Sequence, residues 1–259
     1  KMEWKGLKKE KDVIVFSIDK TNPAMVNTIR RYAMNYVPTL AIEEVEFTEN
    51  NSALFDEMLA HRLGLIPLKT DLKSYKEIAN CKCKNKGCAQ CKLVLTLKAK
   101  GPCTVYSGDM VSKDPKCKPA FDKIPIVKLL KDQEVKMNLT AVLGTGGEHA
   151  KFSPCLMYYW GFPSLKTTKD SNTSEVVVKS NGMIVKKGSD LEIKDVVVWN
   201  EALEEMCEKN NVEVLHSDEK FICTLESWGQ LELKEILTEA IKVFDTKLEE
   251  FVKLVKKLK

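Results

Sequence analysis

Leu237, Ile241, Phe244, Leu248, Phe251, Val255 and Leu258 follow one another at alternating four- and three-residue steps. That spacing draws an apolar seam along a helix, sustained over three heptads, and a seam of this length must be covered. Two covers are open: a helix of another chain, or the body of its own domain. A chain organised this way is expected to work by pairing with other proteins and to have no active site of its own.

The rest of the sequence alternates between the two periods of regular structure. Val13 to Ile18 reads as a strand. Asn22 then caps a helix with Pro23 at its first position and Met25, Val26, Ile29, Ala33 and Val37 on one face. Ala41, Val45 and Phe47 alternate with Glu44 and Glu46 as in a half-buried strand. A second helix, Ala53 to Leu63, turns Leu54, Phe55, Met58, Leu59 and Leu63 inward and leaves Asp56, Glu57, His61 and Arg62 on a charged flank. That flank suits mutual ion pairing better than acid–base catalysis. Strands resume at Leu93–Leu97, Thr104–Tyr106, Ile126–Leu130 and Val135–Ala141. Gly144 to Gly147 lacks the P-loop pattern and is taken as a hinge or contact loop. Val176–Val178 and Met183–Val185 flank Asn181-Gly182, the favoured pair of a two-residue hairpin. A last strand spans Phe221 to Leu225 before the break at Gly229.

Composition removes several classes. Among 259 residues, 41 basic and 37 acidic side chains give a net charge of +4, too balanced for binding nucleic acid by charge alone. The longest apolar runs, such as Val196–Trp199, cannot span a bilayer, and Lys1–Asp12 has no signal-like apolar stretch. A cytoplasmic, reducing location is expected. Of the basic residues only Arg30, Arg31 and Arg62 are Arg. Either chance placed them, or the planar guanidinium fork is needed at those two segments. His61, His149 and His216 form no metalloprotease pair, and no nucleophile elbow is present.

Cys81, Cys83, Cys88 and Cys91 form the sharpest chemical pattern, C-x-C-x4-C-x2-C, in a stretch almost devoid of apolar side chains. Four thiolates on short loops can complete a tetrahedral zinc shell, which would be structural and closed to substrate. Disulfides, free thiols and an iron–sulfur cluster are the other chemistries open to them. Disulfides do not suit a reducing compartment, and ferredoxin spacings are absent. A free-standing zinc or redox-responsive Cys protein is the alternative function.

Asn27-Thr28-Ile29-Arg30-Arg31, Val37-Pro38-Thr39-Leu40-Ala41-Ile42 and Ala60-His61-Arg62-Leu63-Gly64-Leu65-Ile66-Pro67-Leu68 occur in order. Gly101-Pro102, Val105-Tyr106-Ser107-Gly108-Asp109 and Glu148-His149-Ala150-Lys151-Phe152-Ser153-Pro154 follow them. Together they resemble the D-type subunits of archaeal DNA-directed RNA polymerase, a family related to the third-largest subunit of eukaryotic polymerase II and to the bacterial α subunit. The resemblance implies an α+β fold: a discontinuous dimerisation domain (1–43, 154–165 and 220–259), a sheet-rich insert domain with the Cys loop (44–153), and a small ferredoxin-like α+β unit (166–219). It implies a non-catalytic assembly subunit that pairs with subunit L through the helical seam, docks subunits N and P, and makes no base-specific contact with DNA. Arg30, Arg31, His61 and Arg62 would lie in or beside contacts with the large catalytic subunits. One departure matters: segment 166–219 keeps only Cys207, and one thiolate cannot hold a four-iron cluster. A relic without iron is therefore expected, and zinc rests on the four ligands themselves.

Overall fold

The structure, a computed structural model, describes residues 2–84, 86–188 and 190–258; Lys1 and Lys259, the outer ends of the predicted terminal segments, lie outside it. The chain opens with β1 (Glu3–Lys9) and β2 (Val13–Asp19), an antiparallel pair. Asn22 Oδ1 then accepts from Met25 N at 2.9 Å and starts α1 (Pro23–Asn35), which buries Val26, Ile29 and Ala33 as the stripe predicts. Next comes β3 (Pro38–Asn50), whose register against a later strand shifts between Ile42 and Glu44 and again between Phe47 and Glu49. Before the first bulge the strand is covered on both faces, Leu40 and Ile42 packing in one core and Ala41 in another, so all three are buried ahead of the exposed Glu43.

Helix α2 is Asp56–Gly64. It buries Leu59 and Leu63, but Phe55 and Met58, expected inside, are 75% and 51% exposed. The helix starts three residues later than predicted, with Phe55 as its N-cap, and a nine-residue helix has one buried face too narrow for both pairs.

After the Cys loop come β4 (Leu93–Lys100), β5 (Cys103–Tyr106), β6 (Val111–Ser112), β7 (Pro125–Leu129) and β8 (Glu134–Thr145). They form a four-stranded antiparallel sheet ordered β3-β8-β4-β6 and a two-stranded β5-β7 pair. Leu95, Leu97, Met137 and Leu139 of the sheet meet Leu59 and Leu63 of α2 in one continuous core, with Val105 and Leu129 from the smaller pair. Ala41, Val142 and Phe152 make a small cluster of their own. The glycine loop after β8 is a contact and not a hinge. Gly147 N donates to Asn35 O at 2.9 Å, and a Cβ at Gly146 would collide with Met34 O, which excludes any side chain there.

The remaining elements are β9 (Cys155–Thr167), α3 (Thr173–Lys179), β10 (Ile184–Lys187), β11 (Asp190–Ile193), α4 (Glu201–Lys209), β12 (Val212–Ser227) and α5 (Leu233–Lys257). The expected strand at Val176–Val178 is helical. Asn172 caps that turn from Glu175 N, Glu175 pairs with Lys179 four residues on, and only Val176 of the three valines is buried. Asn181 and Gly182 adopt the left-handed conformations of a hairpin turn (φ 50° and 82°) but end α3 instead. The last strand runs well beyond Phe221–Leu225, because hydrogen bonding continues through a polar, solvated stretch that hydrophobic pattern does not reveal.

By density of internal contacts the chain forms two compact units, Lys1–Thr28 with Met157–Leu225, and Ile29–Leu156 with Glu226–Lys259. The first holds most of a sheet ordered β1-β2-β12-β9, and a separate core of Val176, Ile184, Leu191, Trp199, Cys207 and Val212. The second holds the β3-β8-β4-β6 sheet, the Cys loop and α5.

Candidate metal centre and assembly surfaces

Between α2 and β4 the backbone turns repeatedly on the cysteines. Lys84 N donates to Cys81 O, Lys86 N to Cys83 O, and both Cys91 N and Lys92 N to Cys88 O. Gly87, at φ 76°, supplies the left-handed residue that lets the loop double back, and Lys76 N to Gln90 O at 2.8 Å closes its base. Cys81 and Cys91 are buried; Cys83 and Cys88 are partly so.

All four Sγ atoms lie within 4.8 Å of one another, at 3.5 Å for Cys81–Cys88, 3.6 Å for Cys83–Cys91 and 3.8 Å for Cys88–Cys91. Sulfurs arranged tetrahedrally around an ion at ~2.3 Å would stand ~3.8 Å apart, whereas a disulfide needs ~2.05 Å. The donor set therefore fits a tetrahedral metal ion. Cys88 N also donates to Cys91 Sγ at 3.2 Å, a bond that stabilises a thiolate. Hydrogen bonding from Cys81 draws the Cys83 thiol down to about 7, while burial pushes Cys91 up to about 12. Lys82, Lys84, Lys86 and Lys92 bracket the four cysteines in sequence, and the Lys92 ammonium lies 3.4 Å from Glu44 Oε2.

The other cysteines differ. Burial pushes Cys117 and Cys207 up to about 11 and Cys155 and Cys223 up to about 12, so these thiols are packing groups, while Cys103 is exposed.

Arg30 is half-buried, with Nη1 3.7 Å from Met34 Sδ, and Arg31 is exposed on the same helix. His61 is exposed on α2. Arg62 has a role that sequence does not disclose: Nε donates to Ile126 O at 3.0 Å and Nη2 to Pro125 O at 2.6 Å, bracing α2 against β7. The remaining histidines serve local structure. His149 Nδ1 accepts from Lys151 N, and His216 bonds Glu204 and Gly161 O.

Helix α5 is 25 residues long. Its first turns bury Leu233, Ile236 and Ala240. Phe244 meets Tyr32 edge-on at 5.0 Å between centroids, and the Lys247 ammonium sits 3.7 Å above the Tyr36 ring. From Leu248 onward the helix has no cover: every described residue there is exposed. Of the seven seam residues, Leu237 and Phe244 are half-buried, while Ile241, Leu248, Phe251, Val255 and Leu258 are 42–87% exposed. Val252 and Leu254, which the seam omits, are exposed beside them at 48% and 60% and widen the stripe. No helix among the described residues is long and apolar enough to cross a membrane.

Residues 45–154, the span from β3 to the start of β9, match the family described as RNA polymerase Rpb3/RpoA insert domain. The DNA-directed RNA polymerase subunit Rpo3 of Pyrococcus horikoshii is 35% identical over 259 residues, 98% of each chain. The chain belongs to the archaeal Rpo3 family. Other Rpo3 subunits are equally near: that of Methanothermobacter thermautotrophicus is 36% identical over 95% of this chain and 97% of its own, and that of Archaeoglobus fulgidus 32% over 96% of each. The four-cysteine loop of this Rpo3-family chain lies inside the segment matched to the insert domain.

Proposed function

We propose that this chain, a component of an archaeal DNA-directed RNA polymerase, is a non-catalytic assembly platform whose α5 pairs with a smaller subunit of the L type. The uncovered half of α5 carries this reading. A helix stretch of roughly 15 Å with an apolar stripe on its surface is a stable arrangement only when a second chain covers it. The same observation weighs against a free-standing zinc or redox protein, which would keep that stripe in water. Segments 1–43, 154–165 and 220–259 would make the dimerisation domain, 44–153 the insert, and 166–219 a ferredoxin-like relic without iron. Arg30, Arg31 and His61 would face the large catalytic subunits, with Arg62 holding the α2 surface in place. Subunits N and P would dock alongside, in the cytoplasm.

Cys81, Cys83, Cys88 and Cys91 would hold one zinc ion, which supplies no chemistry beyond fixing a loop that has little apolar core of its own. Elemental analysis of protein purified without oxygen should find about one zinc per chain and no iron, and Cys83→Ser should lower the zinc content. Iron with visible absorption would refute zinc. For pairing, the chain expressed alone should aggregate or self-associate, and should become soluble and co-elute when expressed with the small subunit. A stable, soluble monomer would defeat the platform reading.

A further inference from the structure

The cover of α5 ends on two contacts. Phe244 meets the Tyr32 ring edge-on at 5.0 Å between centroids, and three residues on, the Lys247 ammonium stands 3.7 Å from the centroid of Tyr36 and 5.8 Å from that of Tyr32. The two tyrosines lie four residues apart at the end of α1, with ring centroids 4.7 Å apart, so they present one continuous aromatic surface. A single ring contact would leave α5 free to pivot. A second contact, about one turn further along, fixes its direction. The helix is not packed solidly beside this point, because a cleft of about 540 Å³ lies among Tyr36, Val243, Lys247, Leu72, Tyr75 and Glu77.

The seat of the second contact is held in place. Tyr36 N donates to Tyr32 O at 3.1 Å and Gly147 N to Asn35 O at 2.9 Å, so the last turn of α1 is tied both to itself and to the glycine loop. The seat also attracts a cation. Helix α1 has no basic residue in its last turn, and the carbonyl groups at a helix C-terminus carry partial negative charge. Lys247 supplies from α5 the positive charge that α1 lacks. It makes no ion pair among the described residues, and the carboxylates on the same cleft are engaged elsewhere: Glu148 accepts from Thr145 N at 3.0 Å, and Glu239 pairs with Lys242 at 3.0 Å.

We propose that Lys247 is a positioning residue for subunit pairing: held over Tyr36, it fixes the line along which the uncovered half of α5 leaves the body, so that Leu248, Phe251 and Val255 are aimed before a partner arrives. The inference rests on the reading of α5 as the pairing helix and deepens it, since Lys247 is not a residue of the apolar seam. Fixing the helix beforehand raises affinity by removing the cost of ordering it during binding.

The test uses the chain co-expressed with the small subunit and reads the rate at which labelled small subunit leaves the complex under an unlabelled excess. Lys247→Met keeps the stem and removes the charge. It should speed release about two- to fivefold, the contribution of an exposed cation–π contact, while amide exchange in the insert sheet stays at the parent rate. Lys247→Arg should restore slow release, because a guanidinium also stacks on an aromatic face. In a Tyr36→Leu background, Lys247→Met should have no further effect, because the ring it acts through is already gone. Release of the Lys247→Met complex at the parent rate, an Arg variant as fast as the Met variant, or faster exchange throughout the insert sheet would each overturn the proposal. So would an undiminished effect of Lys247→Met in the Tyr36→Leu background, which would place Lys247 against the partner itself. A parent chain that takes up no small subunit would instead defeat the pairing reading, and the positioning role with it.

Discussion

The insert sheet and the distal half of α5 are both rich in large apolar side chains, yet they end in opposite environments. Leu95, Leu97, Met137 and Leu139 are no more than 1% exposed, whereas Phe251, Leu254 and Leu258 keep 60% or more of their surface in water. The sheet has α2 and the β5-β7 pair to close over it, so its burial is complete within one chain. Beyond Phe244 and Lys247, every described residue of α5 is exposed. The difference separates residues that stabilise the fold from residues that would stabilise an assembly.

The largest expected effect lies in the sheet. Leu95→Ala should cost the folded chain ~3 kcal/mol, through a cavity opened in a closed core, and denaturant unfolding of the chain co-expressed with the small subunit would measure it. A loss below ~1 kcal/mol would mean that the core is less tightly packed than the structure shows. Phe251→Asp should behave in the opposite way. The stability of the insert sheet, read by hydrogen exchange, should change by less than ~0.5 kcal/mol, because the side chain is already in water, while pairing should weaken by ~2 kcal/mol or more. Unchanged co-elution of the small subunit would remove α5 from the interface.

The smallest effect is electrostatic and belongs to the first unit. His216 Nε2 lies 2.9 Å from Glu204 Oε1, and that hydrogen bond raises the imidazole pKa above its usual value. The folded chain thus holds the proton more tightly than the unfolded chain. Its contribution is present in full below about pH 6.5 and is lost as pH rises through the folded value. Because the imidazole is 40% exposed, solvent screening limits the contribution to ~0.5 kcal/mol. Glu204→Gln should flatten that part of the stability–pH curve, and an unaltered curve would show that the pair contributes nothing.

Much of the local structure is legible in the sequence because it depends on near neighbours. The Asn22 cap, the Val26–Ile29–Ala33 stripe and the alternating leucines of β4 are set by spacing along a single element. Signals that serve two outcomes mislead. Three successive valines suggest a strand, and only the Asn172 cap and the Glu175–Lys179 pair make them a helix. Alternation in β3 carries no mark of the bulges that shift its phase. Periodicity puts Phe55 and Met58 inside because it names an apolar face without saying whether anything covers it.

The sequence by itself determined the family, through motifs in order along nearly the whole chain, and the four-cysteine pattern, through a spacing that needs no distant partner. Only the tertiary structure could bring the four sulfurs to metal-binding distances and commit Arg62 to the carbonyls of β7. It also divided the α5 seam into a covered part and a bare one. Each of these depends on groups far apart in the chain, and the burial of a side chain is a property of what surrounds it.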